Sequence, residues 1–102
     1  MDHKKKLFIS GRITGNRFYV SEFDKAEQFY RRKDYTVITP SVLPQGLLPA
    51  DYMRICFAMI DSCDVVAFLP EWEMSPGARL EHAYCTYTGK PTLYYIDAPE
   101  EI

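Results

Sequence analysis

The chain has 102 residues, of which 47% are hydrophobic and 15% aromatic, and a formal net charge of −2 at pH 7. That length fits one domain (residues 1–102) with a modest buried core, and that composition excludes a disordered chain. The weak charge gives no electrostatic case for a nucleic-acid polymer or a membrane surface, and no apolar run approaches the roughly 18 residues of a membrane span.

Lys4-Lys5-Lys6 reads as a solvated lead-in to a strand. The N-terminus lacks the apolar stretch of a signal peptide. Cys56, Cys63 and Cys85 are odd in number and lack C-x-x-C spacing, so they read as buried thiols of a reducing cytoplasm rather than as metal ligands. Leu7–Ser10 is expected to be a buried strand, followed by a loop, Gly11–Asn16, with two glycines. Phe18–Arg32 places Phe23, Ala26, Phe29 and Tyr30 at helical spacing, and Tyr35–Thr39 is a β-branched strand stopped by Pro40. Ser41–Pro49 holds two prolines and a glycine, a loop long enough to suggest a lid. Ala50–Cys63 repeats apolar residues at three and four, and Asp64–Leu69 is the continuous apolar run of a strand covered on both faces. Pro70–Met74 is a loop carrying Trp72, and Ser75–Thr88 is a helix closed by Gly89 and Pro91. Thr92–Ile96 is the last strand, and Asp97–Ile102 is an acidic tail.

This β-α-β-α-β-α-β order predicts a parallel sheet with helices on both faces. Ligands of such sheets bind beyond the carboxyl ends of the strands, where strand order reverses. If the first and third strands are neighbours, the loops Ser10–Asn16 and Pro70–Ser75 meet over one crevice. Ser75 before Pro76 is a strong helix start, and Glu81 then leans over Gly77 and Ala78. A solvated helix carboxylate is the bland alternative for Glu81. The loop Ser10, Gly11, Arg12, Thr14 and Gly15 offers backbone N–H groups, hydroxyls and a cation to an anion. A simple strand-to-helix turn explains the same residues equally well. Trp72, Phe18 and Tyr19 offer rings to a planar base, or serve as core and rim. His82 points away from Glu81, and Asp64 suits a local hydrogen bond better than catalysis.

Phe8-Ile9-Ser10-Gly11-Arg12-Ile13-Thr14-Gly15, Tyr52-Met53-Arg54, Cys63-Asp64-Val65-Val66 and Leu69–Ala83 together resemble the nucleoside 2-deoxyribosyltransferase-like superfamily. That superfamily includes 2'-deoxynucleoside 5'-monophosphate N-glycosidases, and the likeness covers nearly the whole chain. It implies a three-layer flavodoxin-like α/β fold, a four-stranded parallel sheet in the order 2-1-3-4, and cleavage of the N-glycosidic bond of a nucleoside or its monophosphate. The nucleophile of the family falls on Glu81. Ser75, six residues earlier, takes the place where members acting on monophosphates carry serine. The Ser10–Gly15 loop would cradle the phosphate with Arg12, and Gly77 and Trp72 would complete the substrate site. No metal or other cofactor is expected. The expected partner is a small nucleotide or nucleoside, and the expected assembly is a homodimer or higher homo-oligomer. Two positions depart from the family: Phe8 stands where a hydroxyl-bearing tyrosine is usual, and Cys56 stands where an aspartate is usual. Asp51 and Asp61 are the carboxylates nearest that position. The departures keep open a second expectation, a catalytically weak nucleotide or phospho-sugar sensor using the same crevice.

Overall fold

A computed structural model of the chain describes residues 3–96, so the acidic tail lies outside the described residues. Four parallel strands, β1 (Lys6–Ser10), β2 (Thr36–Ile38), β3 (Val65–Phe68) and β4 (Thr92–Tyr94), form one sheet in the order β2-β1-β3-β4. Three helices connect them: α1 (Tyr19–Arg32), α2 (Pro49–Asp61) and α3 (Pro76–Thr88). The expected order 2-1-3-4 is the one observed.

The period-2 alternation of β1 and β3 sorts the core into two clusters. Leu7, Ile9, Val65 and Ala67 face α1 and pack on its Phe23, Ala26 and Tyr30. Phe8, Val66 and Phe68 face the other way and pack on Cys56 and Ile60 of α2 and Cys85 of α3. The result is three layers, with α1 on one face and α2 and α3 on the other. Phe57 of α2 stacks on Tyr84 of α3 at 4.4 Å, holding the two helices of that layer together. Cys56, Cys63 and Cys85 are buried free thiols.

Element ends follow local chemistry. Ser75 caps α3 by accepting a hydrogen bond from the Ala78 amide at 3.1 Å, with Pro76 in the first turn. Gly89 ends α3 in the left-handed conformation (φ 78°), which a glycine adopts without the Cβ clash of other residues. β4 stops at Tyr94 rather than Ile96, because its partner β3 ends at the opposing Phe68. α2 begins at Pro49, which opens its first turn, and ends where the Ser62 hydroxyl folds back onto the Ala58 carbonyl. Asp64 accepts a 2.7 Å hydrogen bond from the Lys6 amide, the local tie expected of it, and that bond lowers its pKa. Among the described residues, no helix is long and apolar enough to cross a membrane.

Candidate functional site

Strand order reverses between β1 and β3, and β1 delivers Ser10 to its carboxyl end on the α2/α3 side. Ser10 is fully buried, and its hydroxyl donates a 2.5 Å hydrogen bond to Oε1 of Glu81 on α3. The Cys56 thiol of α2 bonds the same carboxylate. Strand, helix and helix therefore converge on one carboxyl group that is only 5% exposed. Burial pushes its pKa up from 4.5 to about 7, against the opposing pull of the Ser10 and Cys56 hydrogen bonds. Burial and the neighbouring Glu81 push Cys56 up to about 12, so its thiol stays protonated.

Glu81 opens onto a cleft of about 1110 Å³. Its walls are the loop after β1 (Gly11 to Arg17), the loop after β2 (Pro40 to Leu47), and the first turns of α2 and α3. Of the expected site residues, Gly11, Thr14, Gly15, Ser75, Gly77 and Glu81 line this cleft. Glu81 faces the Gly11–Asn16 loop across it, and small residues keep the floor open. A Cβ on Gly77 would meet only Met53 Sδ at 3.5 Å and Ser75 Oγ at 3.9 Å, so packing alone does not demand glycine there.

The other expected residues sit elsewhere. Ser10 lies behind Glu81 and holds it from below instead of lining the cleft. Arg12 turns away: it donates to the Gly15 carbonyl, pairs with Glu71 at 3.9 Å, and lines a separate cavity of about 230 Å³. Trp72 packs on Phe68 and stacks on His82 at 4.1 Å, outside the cleft. His82 in turn bonds the Tyr94 hydroxyl at 2.7 Å, a structural cluster separate from Glu81. The second wall of the crevice is therefore the loop after β2; of the Pro70–Ser75 stretch, only Ser75 reaches it.

Three lining residues carry chemistry that the sequence did not single out for the site. Arg17, at the end of the β1 loop, lines the cleft with its guanidinium 5.3 Å from the Phe18 ring. Tyr52, in the first turns of α2, lines it and donates its hydroxyl to the Pro44 carbonyl. Gln45 of the β2 loop reaches across to the Tyr19 hydroxyl at 3.4 Å. The β2 loop is thus tied at both sides of the mouth, as a cleft wall requires. Phe8 is fully buried in the core, and neither Asp51 nor Asp61 lines the cleft. Asp51 pairs with Arg54 at 3.1 Å, and Asp61 accepts from the Tyr84 hydroxyl at 2.7 Å. Among the described residues, no group of three His, Cys, Asp or Glu side chains is arranged to hold a metal ion.

Fold and site together define a small parallel α/β protein with a buried, partly protonated carboxyl group on the floor of a ligand-sized cleft. The chain belongs to the family described as Domain of unknown function (DUF4406), which matches it over residues 5–94. That span takes in every element from β1 to β4, and so the whole cleft. A search of curated proteins finds no match.

Proposed function

We propose that the protein cleaves the N-glycosidic bond of a (deoxy)nucleoside 5'-monophosphate or a related N-glycoside, with Glu81 as the nucleophile. One observation carries this reading: a buried carboxylate, oriented by Ser10 and Cys56, lines an open cleft together with the two-glycine loop after β1. A carboxylate so placed can attack an anomeric carbon and form a glycosyl ester, which water then opens. With its pKa near 7, Glu81 has a large ionised fraction at neutral pH, as an attacking group needs. The anionic end of the ligand has partners at the rim. Arg17 is the only Lys or Arg side chain lining the cleft among the described residues, and the Thr14 and Ser75 hydroxyls lie on the same surface. The likeness to the nucleoside 2-deoxyribosyltransferase-like superfamily supports the same chemistry.

A second reading, a nucleotide or phospho-sugar sensor, draws support from two positions: Phe8 brings no hydroxyl, and Cys56 brings a thiol that stays protonated. One experiment separates the two. Purified protein is incubated with nucleosides and their monophosphates, free base is measured by chromatography, and the protein is weighed intact for a sugar adduct. Base release that disappears in Glu81→Gln, with an adduct mapping to Glu81, supports the enzyme. Thermal stabilisation by a nucleotide without base release supports the sensor, and full turnover by Glu81→Gln overturns the nucleophile assignment.

A further inference from the structure

The chemistry missing from the cleft narrows the substrate class. Among the described residues, the ionisable side chains lining it are Arg17, Tyr19, Tyr52, Cys56 and Glu81; no aspartate, histidine or lysine lines it. Four of the five are poor proton donors to a departing base, and the fifth, Tyr19, is held at the mouth of the cleft by Gln45. A guanidinium is a partner for an anion and not a proton donor in catalysis. The Tyr52 hydroxyl donates its proton to the Pro44 carbonyl, while the Tyr19 hydroxyl accepts from Gln45 Nε2 where α1 meets the β2 loop. The Cys56 thiol is bonded to Glu81 and firmly protonated. Glu81 itself cannot attack as a carboxylate and donate a proton in the same step.

An ordinary nucleobase departs with the electron pair of the broken C–N bond and needs a proton from a general acid to leave as a neutral molecule. A base that is already cationic in the glycoside needs none. We propose that the cleft acts on 5'-phosphorylated N-glycosides whose base carries a positive charge before the bond breaks, such as a pyridinium or an N7-alkylated purine. This rests on Glu81 being the nucleophile. In the first step a Glu81 oxygen forms a bond to the anomeric carbon, and the C–N electron pair moves onto the cationic ring, which leaves neutral. In the second step a water oxygen bonds to the anomeric carbon as the C–O bond to Glu81 breaks, its electron pair returning to the carboxylate. The proton lost by water passes to the carboxylate or to solvent, so no external acid is consumed.

The cleft also suits the charge of such a base. Its floor is a carboxylate, and two tyrosines, Tyr19 and Tyr52, line its wall. Aromatic rings attract cations, and a planar cationic base can stack on them as well. The Arg17 side chain at the rim complements a phosphate at the other end of the same ligand.

The test compares matched pairs of probes on the full chain. N7-methylguanosine 5'-monophosphate is set against guanosine 5'-monophosphate, both sugars being assayed for each, with nicotinamide mononucleotide as a second cationic probe. Uncatalysed loss is subtracted. The expected result is a kcat/KM larger by about 100-fold or more for the cationic member, the contribution a general acid would otherwise supply. Its pH profile should rise with Glu81 ionisation and show no falling limb from a second, acidic group. Neutral guanosine 5'-monophosphate turned over within about tenfold of its N7-methyl partner, with a falling limb at high pH, reveals a general acid and overturns the proposal while leaving Glu81 as nucleophile. No Glu81-dependent base release from any probe overturns the parent reading, and this one with it.

Discussion

Replacing Glu81 with glutamine tests the physical state of the site before any substrate is known. The carboxyl titrates near 7 in the folded protein and near 4.5 when exposed. The folded state therefore holds a proton that the unfolded chain has released between those two values. Stability from this group is full below pH 4.5 and falls as pH rises toward and past 7. A shift of that size is worth about 3 kcal/mol at about 1.36 kcal/mol per pH unit. Glutamine keeps the shape, accepts the Ser10 hydroxyl, and has no charge to desolvate. At pH 5 the two proteins should be about equally stable. At pH 8 Glu81→Gln should be more stable by about 3 kcal/mol, a rise in melting temperature of about 10 °C or more for a domain of this length. Urea denaturation of both proteins at pH 5, 6, 7 and 8 reads the difference directly. Stability curves that stay parallel across that range would refute a buried, raised-pKa carboxyl at this position. Neither Cys56 nor Cys85 confuses the comparison, because burial raises both thiols, to about 12 and about 11, and both variants retain them.

Two glycines in the site should respond oppositely to alanine. A Cβ at Gly11 lands 3.0 Å from Leu69 Cβ and Cδ1, so Gly11→Ala is expected to lower stability by about 1–3 kcal/mol through overpacking, measured by chemical denaturation. Gly77→Ala has room in the fold and should change stability by less than about 1 kcal/mol, while raising KM or nucleotide Kd by filling the cleft floor; an equal loss of stability in both variants would show that the floor is packed rather than open. For the rim, Arg17→Ala should weaken binding of a nucleoside 5'-monophosphate by about tenfold or more and leave the matching nucleoside unaffected. Arg12→Ala should not discriminate the two ligands, since Arg12 faces Glu71; calorimetric titration of both ligands against both variants decides which arginine meets the phosphate.

The sheet was legible because strand burial writes itself into composition. Val65–Phe68 is apolar at every position because both its faces are covered, and Leu7 to Ser10 alternates between the two helical layers. The α3 start was legible because Ser75 and Pro76 each suit one position of a helix N-terminus. The placing of Glu81 opposite the β1 loop then followed from parallel topology. The directions of loop side chains were not legible. Beyond Ser10 the chain leaves the strand and its two-residue alternation, so nothing in Arg12 or Arg17 announces that the first turns toward Glu71 and the second toward the cleft. Trp72 follows a residue with positive φ, Glu71 at 69°, which turns the chain and sets the ring against Phe68 and His82. Tyr52 matches the apolar spacing of α2, but spacing identifies a face of the helix and not what that face meets at its first turn. There it meets the β2 loop and the cleft rather than the sheet.

The position of Cys56 explains why the protein can hold a carboxyl half ionised at neutral pH. An aspartate there would put two carboxylates side by side, and like charges drive one of them to neutrality. A thiol brings a hydrogen-bond donor with no competing charge, so Glu81 is perturbed chiefly by burial. Burial is also the influence a ligand can reverse. A cationic base beside the carboxylate favours its charged form, so binding would lower the Glu81 pKa and release the proton that folding had retained. On that account the free protein bears the cost of a buried carboxyl with no cation beside it, and a cationic ligand that relieves this cost would also generate the proposed nucleophile. A thiol at Cys56 that stays protonated supplies no acid to a neutral leaving base, which is what the proposed preference for a cationic base requires.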